Sequence, residues 1–211
     1  MRISELSAAS GVPIPTIKYY LREGMLPAGE QVSATRARYG EEHVRRLRLI
    51  RALLEVGRMP IASIGKVLTA IDDTSLSLHH VLGVAQYAIA PAVEPHASDE
   101  EWARARAEAD AVIDALGWEV EPGAPARAEL AQAVLTLGRL GMPADGEALR
   151  PYADAAMRLV TEHEIGTIPL GGSREAAVEA MVLGTVLHSR VLDIMRRLAH
   201  ESVSARVFDG L

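Results

Sequence analysis

The sequence predicts a mainly α-helical chain, with an N-terminal winged helix-turn-helix, a short dimerisation helix and a C-terminal all-α bundle. Three observations predict it. Apolar residues recur at spacings of three and four along most of the chain. Glycines, prolines and capping residues fall where those runs stop. The one stretch that reads otherwise, residues 25–38, is polar with alternating small residues, as a two-stranded wing or an extended loop would be.

Residues 4–13 read as a short helix followed by a tight Ser10-Gly11-Val12 turn. A second short helix begins near Pro13 and Pro15, where the first N–H groups of a helix have no partner and proline costs nothing, and Gly24 stops it. The pair has the form of a helix-turn-helix. At about 100° per residue, Ile14, Ile17 and Leu21 share one side of the second helix. Pro15, Thr16, Tyr19 and Arg22 lie opposite, with Lys18 and Tyr20 on the flanks. The wing that follows holds Arg36 and Arg38.

Acids in a first turn at Glu41 and Glu42 open a longer helix with Val44, Leu47, Ile50 and Leu54 on one stripe, ended by residues 57–60. A further helix, residues 61–70, turns Ile61, Ile64 and Leu68 inward, and Asp72-Asp73-Thr74-Ser75 breaks the pattern. That break divides the chain into residues 1–73, a dimerisation helix and linker at 74–95, and an all-helical domain at 96–211. In the linker segment Leu78, Leu82, Ala85 and Ile89 recur at alternating spacings of four and three, a coiled-coil-like seam that Pro91 and Pro95 terminate. Beyond it, Ser98 and Glu101 form a capping box for a helix closed by Gly117. Helices at 125–140 and about 146–163 follow. The last runs from Arg174 to about Ala199, and its apolar positions, among them Val178, Met181, Val182, Val186 and Ile194, are too broad for a surface helix.

Composition narrows the chemistry. The 211 residues include no cysteine, which excludes disulfides, thiolate metal sensing and thiol redox switches. No apolar run approaches the roughly 20 residues of a membrane span, and the N-terminus lacks the apolar core of a signal peptide, so a soluble cytoplasmic protein is expected. The net charge of −6 conceals an asymmetry. Residues 1–70 carry eleven Lys and Arg against six Glu, a balance of +5, and the remainder carries −11. Phosphate neutralisation dominates non-specific affinity for nucleic acid, so the basic N-terminal third is the part expected to meet a polyanion.

Residues 3 to about 70 resemble the N-terminal domain of the MerR family of transcription regulators. The likeness rests on Ile3-Ser4-Glu5-Leu6, Ser10-Gly11-Val12, Thr16-Ile17-Lys18-Tyr19-Tyr20, Gly24-Met25-Leu26-Pro27 and Arg38-Tyr39, then on Ile50, Leu53 and Gly57 followed by Ile61, Ile64 and Leu68. The resemblance implies a winged helix-turn-helix, a homodimer joined by a helix just after this domain, and binding to pseudopalindromic double-stranded promoter DNA. It also implies a mechanism in which an effector makes the dimer bend and untwist a promoter so that RNA polymerase can use it. Carried over by position, Thr16, Lys18, Tyr19 and Tyr20 contact phosphates and base edges, Arg36 and Arg38 belong to the wing, and Arg22 lies on the same exposed face. This chain departs from the usual pattern with lysine at 18, leucine at 21 and alanine at 37.

Other constellations carry less. Arg45, Arg46, Arg48 and Arg51 read as solvated or paired with nearby Glu. His79-His80 and Glu162-His163-Glu164 lack the i,i+4 pairing of helical metal ligands, so no metal and no cofactor is expected. Trp102, Trp118, Tyr152 and Met157 are the candidates for lining a pocket, with buried core as the plainer role. No nucleophile, base and orienting group occur together, so an enzyme is not expected. The expected function is a dimeric, sequence-specific DNA-binding transcriptional regulator, controlled by a small apolar effector in the C-terminal helical domain. The alternative is a regulator whose bundle binds a partner protein instead.

Overall fold

The computed structural model describes residues 1–33, 36–95 and 97–208. The chain forms two compact units: Met1–Ala88 together with the chain from Thr167 onward, and Ile89–Gly166 between them in sequence. The mainly helical fold with a small wing is present as expected.

The first unit begins with α1, Ile3–Ser10, and α2, Ile14–Arg22. Their turn is held from both ends. Ser7 Oγ donates to Val12 O at 2.6 Å, Val12 N–H donates to Ser10 Oγ at 3.3 Å, and Gly11 adopts φ +70°, which favours a residue without Cβ. Strands β1, Glu30–Ser33, and β2, Arg36–Arg38, then pair antiparallel, with Glu30 opposite Arg38 and Gln31 opposite Ala37. The wing positions 34 and 35 between them lie outside the described residues. Helix α3, Glu41–Arg51, runs without a break into a wider π-type turn, Ala52–Val56. It is followed by α4, Ile61–Asp72, and α5, Leu78–Ile89. Leu6, Ile17, Leu26, Leu47, Ile50, Leu53, Ile64 and Val67 form the core of this unit, all essentially inaccessible. One buried cation belongs to it: Arg46, 3% exposed, pairs with Asp72 at the end of α4.

The final helix, α9, spans Arg174–Phe208 and ends well beyond the expected Ala199. Its first turns bury Ala177, Val178, Met181 and Val182 and pack on α3 and the Ala52–Val56 turn. Gly57 is what lets it approach, since a Cβ there would stand 3.2 Å from Val182 Cγ1 and 2.9 Å from Leu53 O. Arg174 ties the helix start to the end of α4, its guanidinium donating to Asp73 O at 2.7 Å and Leu76 O at 2.6 Å. The expected 96–211 bundle is therefore divided, because α9 uses its apolar face on the N-terminal unit. Residues 96 and 209–211 of that span lie outside the described residues. Ile194, expected at the centre of a bundle or in an interface, is 38% exposed in the protomer.

The second unit is built on α6, Asp99–Leu116, packed against α7, Pro125–Arg139, and α8, Gly146–Leu159. The expected capping box forms: Glu101 N–H donates to Ser98 Oγ and Ser98 N–H donates to Glu101 Oε2. Ala105, Ala109 and Ala131 let α6 and α7 approach closely, and Trp102, Leu130 and Leu135 close over them. Arg127 fastens the connection, donating to Asp110 Oδ1 at 2.7 Å, Val120 O at 2.6 Å and Glu121 O at 3.0 Å. No helix among the described residues is long and apolar enough to cross a membrane.

Candidate nucleic-acid interface

The amphipathic reading of α2 holds for most of its positions. Ile17 is fully buried and Ile14 and Leu21 are half-buried, while Lys18 and Arg22 are exposed and Thr16 and Tyr19 are partly so. Arg22 lies over the Tyr19 ring with its guanidinium carbon 5.3 Å from the centroid, a cation–π contact that stiffens this edge of the helix. Arg22 also pairs with Glu23 at 3.1 Å.

Tyr20 departs from the expected contact set. Its residue is 5% exposed, with the ring turned into the core and tilted against Tyr19 at 5.8 Å. Burial first, and then the neighbouring Tyr19 and Glu55, pushes its phenol above the usual tyrosine range. The spacing that puts Tyr20 on a flank could not choose between these environments. The tertiary fold turns it inward, and its carbonyl accepts Met25 N–H and Leu26 N–H to close the turn after α2. Tyr20 thus positions the helix rather than offering its ring to a ligand.

The wing distinguishes its two arginines. Glu30 and Arg38 are cross-strand partners, and Arg38 donates to Glu30 Oε2 through Nε at 3.1 Å and Nη2 at 2.8 Å. Arg36 is exposed and makes no ion pair with any described residue. Arg36, Lys18 and Arg2 all line one open groove of about 810 Å³, together with Ser4, Gln31 and Ser33. Three cations around one concavity, none in a salt bridge among the described residues, is an arrangement suited to a phosphate backbone.

Arg2 was not singled out from the sequence. Its place depends on a long-range pairing: Tyr39 N–H donates to Met1 O at 2.9 Å, and the Met1 ammonium donates to Tyr39 O at 2.6 Å. Nothing local to residues 1–5 signals that the wing will bring them there. Of the α3 arginines, Arg51 is paired with a nearby Glu as expected, 3.0 Å from Glu55, and also reaches Ser10 O, whereas Arg46 departs from the solvated or Glu-paired expectation. Arg45 and Arg48 are exposed, and Arg46 is the buried partner of Asp72.

The remaining candidates are not brought together. In α5, Ala85 is buried and Leu78, Leu82 and Ile89 are half-buried. Trp102 packs on the α6–α7 alanines, Trp118 follows the Gly117 cap, and Tyr152 and Met157 stand 62% and 43% exposed on α8. A cavity of about 450 Å³ in the same unit is lined by Glu108, Val112, Val134, Gly138, Met142 and their neighbours, and by none of those four. Among the described residues, no three His, Asp or Glu side chains converge to hold a metal ion.

Comparisons with known proteins match the same N-terminal segment. Residues 1–71 match the family described as MerR HTH family regulatory protein. Nodulation protein NolA of Bradyrhizobium elkanii is 41% identical over 56 residues, 26% of this chain and 26% of that protein. The ZntR homolog of Haemophilus influenzae, an HTH-type transcriptional regulator, is 38% identical over 50 residues, 24% of this chain and 37% of its own. The mercuric resistance operon regulatory protein of Serratia marcescens is 31% identical over 74 residues, 35% of this chain and 51% of its own. The chain thus spans between a quarter and a half of these relatives. A solved structure, that of the proposed transcriptional regulator SCO5550 from Streptomyces coelicolor A3(2), is 40% identical with a TM-score of 0.74, and the match covers 99% of this chain and 98% of that one. The groove flanked by α2 and the wing, and the family match over the residues that build it, lead to one conclusion: this chain belongs to the MerR family of DNA-binding transcriptional regulators.

Proposed function

We propose that the protein acts as a dimer on promoter DNA, each copy inserting α2 in a major groove and laying its wing on the adjacent backbone. The observation that carries this reading is the groove lined by Lys18, Arg36 and Arg2, with Thr16 and Tyr19 partly exposed on the helix that supplies Lys18. Exposed cations with no carboxylate partner are free to neutralise phosphates and release counterions, while Thr16 and Tyr19 stand nearer the base edges. Two such domains held at a fixed spacing can bend or untwist the duplex between them, at a deformation cost that the contacts offset.

The unit at Ile89–Gly166 is the sensor in this reading, since it is inserted in sequence between α5 and α9 and takes no part in the groove. Its 450 Å³ cavity is of a size and apolar character that fit a small apolar effector. A second reading, a partner protein on this unit, is favoured by the exposed Tyr152, Met157 and Val160 on one side of α8 and its continuation. An electrophoretic mobility shift with the protein's own promoter tests the DNA reading. A sequence-specific shift is expected for the wild type and its loss for K18A/Y19A; an unchanged shift in that variant overturns the assignment of α2. Circularly permuted promoter fragments should migrate anomalously if the duplex is bent, and uniform migration would remove the distortion step.

A further inference from the structure

Resting on the dimeric reading above, we infer that the joint between two copies is the second half of α9, paired antiparallel with itself, and not α5. From Leu187 to Phe208 every residue of α9 is exposed, a 22-residue stretch about 33 Å long at the rise of an α-helix. Single helices of this length are marginal in water, and this one carries large apolar side chains outward. Leu187 is 48% exposed, Val191 54%, Ile194 38% and Leu198 53%, with Met195 beside them at 58%. Their spacings of four, three and four form a coiled-coil seam.

The seam lies on the far side of the helix from the protomer's own core. At about 100° per residue, Val178 and Val182 point roughly opposite to Leu187, Val191 and Leu198. Those two valines are the ones that pack on the N-terminal unit. One face of α9 is therefore committed to the DNA-binding domain, and the other is free for a second copy. Extended at heptad spacing in both directions, the seam runs from Ala180 and Gly184 through to Ala205 and Phe208, about four heptads, with Glu201 as its one charged position.

Glu201 decides the direction. In a parallel pair, two Glu201 carboxylates would oppose each other in the seam. Reversing one copy about a point between Leu192 and Asp193 instead sets Leu187 against Leu198 and Val191 against Ile194, twice over. The same register sets Ala180 against Ala205 and Glu201 against Gly184, where no heavy atom lies closer than 3.8 Å to a notional Cβ. Between Ala180 and Ala205 large meets large, small meets small, and the lone carboxylate meets a glycine, while Phe208 lies beyond the paired stretch. The antiparallel arrangement also opposes the two helix dipoles favourably and closes as a two-fold dimer. By contrast, the expected α5 seam is already drawn on inside the protomer, with Ala85 0% exposed and Leu78, Leu82 and Ile89 half-buried, which leaves α5 a smaller apolar surface than the second half of α9. Because Arg174 and Val182 fasten α9 to the DNA-binding domain, a joint through α9 would set the distance between the two α2 helices directly.

The test uses the full chain and its lack of cysteine. Light scattering behind size exclusion should give a dimer for wild type and half that mass for V191E/I194E. Both replaced side chains are exposed in the protomer, so far-UV circular dichroism and the thermal melt should show a folded chain. Y87E, at an exposed position of α5, should stay dimeric. Under mild oxidation a mixture of L187C and L198C chains should form a covalent heterodimer, while L187C alone should not cross-link to itself. A V191E/I194E dimer with wild-type affinity, or loss of the dimer in Y87E, overturns the α9 joint while leaving the dimeric reading intact. Self-cross-linking of L187C overturns the antiparallel direction. A wild type that is monomeric at all concentrations, alone and on DNA, overturns the dimeric reading and this inference with it.

Discussion

The wing provides a quantitative test of how this domain holds DNA. Arg36 and Lys18 face the groove without a carboxylate partner among the described residues, whereas Arg38 is engaged twice by Glu30. Removing one charge-assisted hydrogen bond to a phosphate costs about 1.5 kcal/mol, and in the proposed dimer two copies per operator make that about 3 kcal/mol, on the order of a hundredfold in Kd. Lys18→Ala and Arg36→Ala should each approach this figure. They should also flatten the dependence of log K on log salt by about 1.8, since two phosphates per dimer are no longer neutralised. Arg38→Ala should cost much less, because a phosphate must first displace Glu30 from the guanidinium. Glu30→Ala should tighten binding and steepen the salt dependence, as it frees a cation and removes an anion from the wing. Fluorescence anisotropy with a labelled operator from about 50 to 200 mM salt reads all four variants. If Arg38→Ala weakens binding more than Arg36→Ala, or Glu30→Ala weakens it, the partnering argument is wrong.

Two further outcomes follow from the packing. Asp72→Ala should destabilise by about 2 kcal/mol, below the roughly 3–5 kcal/mol for breaking a fully buried pair, since the Asp72 side chain is 57% exposed. Arg46→Met should cost less than Asp72→Ala, because it removes the 3%-exposed guanidinium instead of stranding it; urea denaturation that reverses this order would refute the account. In the second unit, the Ser98 backbone N–H, then Arg139 and the Ser98 hydroxyl, hold Glu101 below the usual glutamate range. A carboxylate with a depressed folded-state pKa contributes stability above its ordinary value and loses it as pH falls through the folded one. Melting temperature should therefore drop on acidification below about pH 4 more steeply in the wild type than in Glu101→Gln, and parallel curves would remove Glu101 from the cause.

Much of the interface was legible because its signals are local. The Ser10-Gly11-Val12 turn, the apolar stripe of Ile14, Ile17 and Leu21, and the concentration of basic residues in the first third are set by neighbours a few positions apart. The Ser98–Glu101 cap was equally readable, because both halves of it lie within one helical turn. Tyr20 was not, since a flank position on a short helix is compatible with core or surface until the chain after Gly24 and the Ala52–Val56 turn are in place. Arg2 was invisible for a related reason, as only the backbone pairing of Met1 with Tyr39 carries it to the wing.

The largest difference concerns α9. Periodicity identified a long apolar helix at the C-terminus, and a break at Asp72–Ser75 made a division near residue 73 plausible. Helical periodicity states that a face will be buried but not against what. The sequence by itself determined the helices, their caps, the reading head and its charge. Tertiary structure decided which faces meet: α9 on α3 and Gly57, Arg174 on the end of α4, and Glu30 on Arg38. Those choices depend on distances between residues as many as about a hundred positions apart, which local spacing cannot encode.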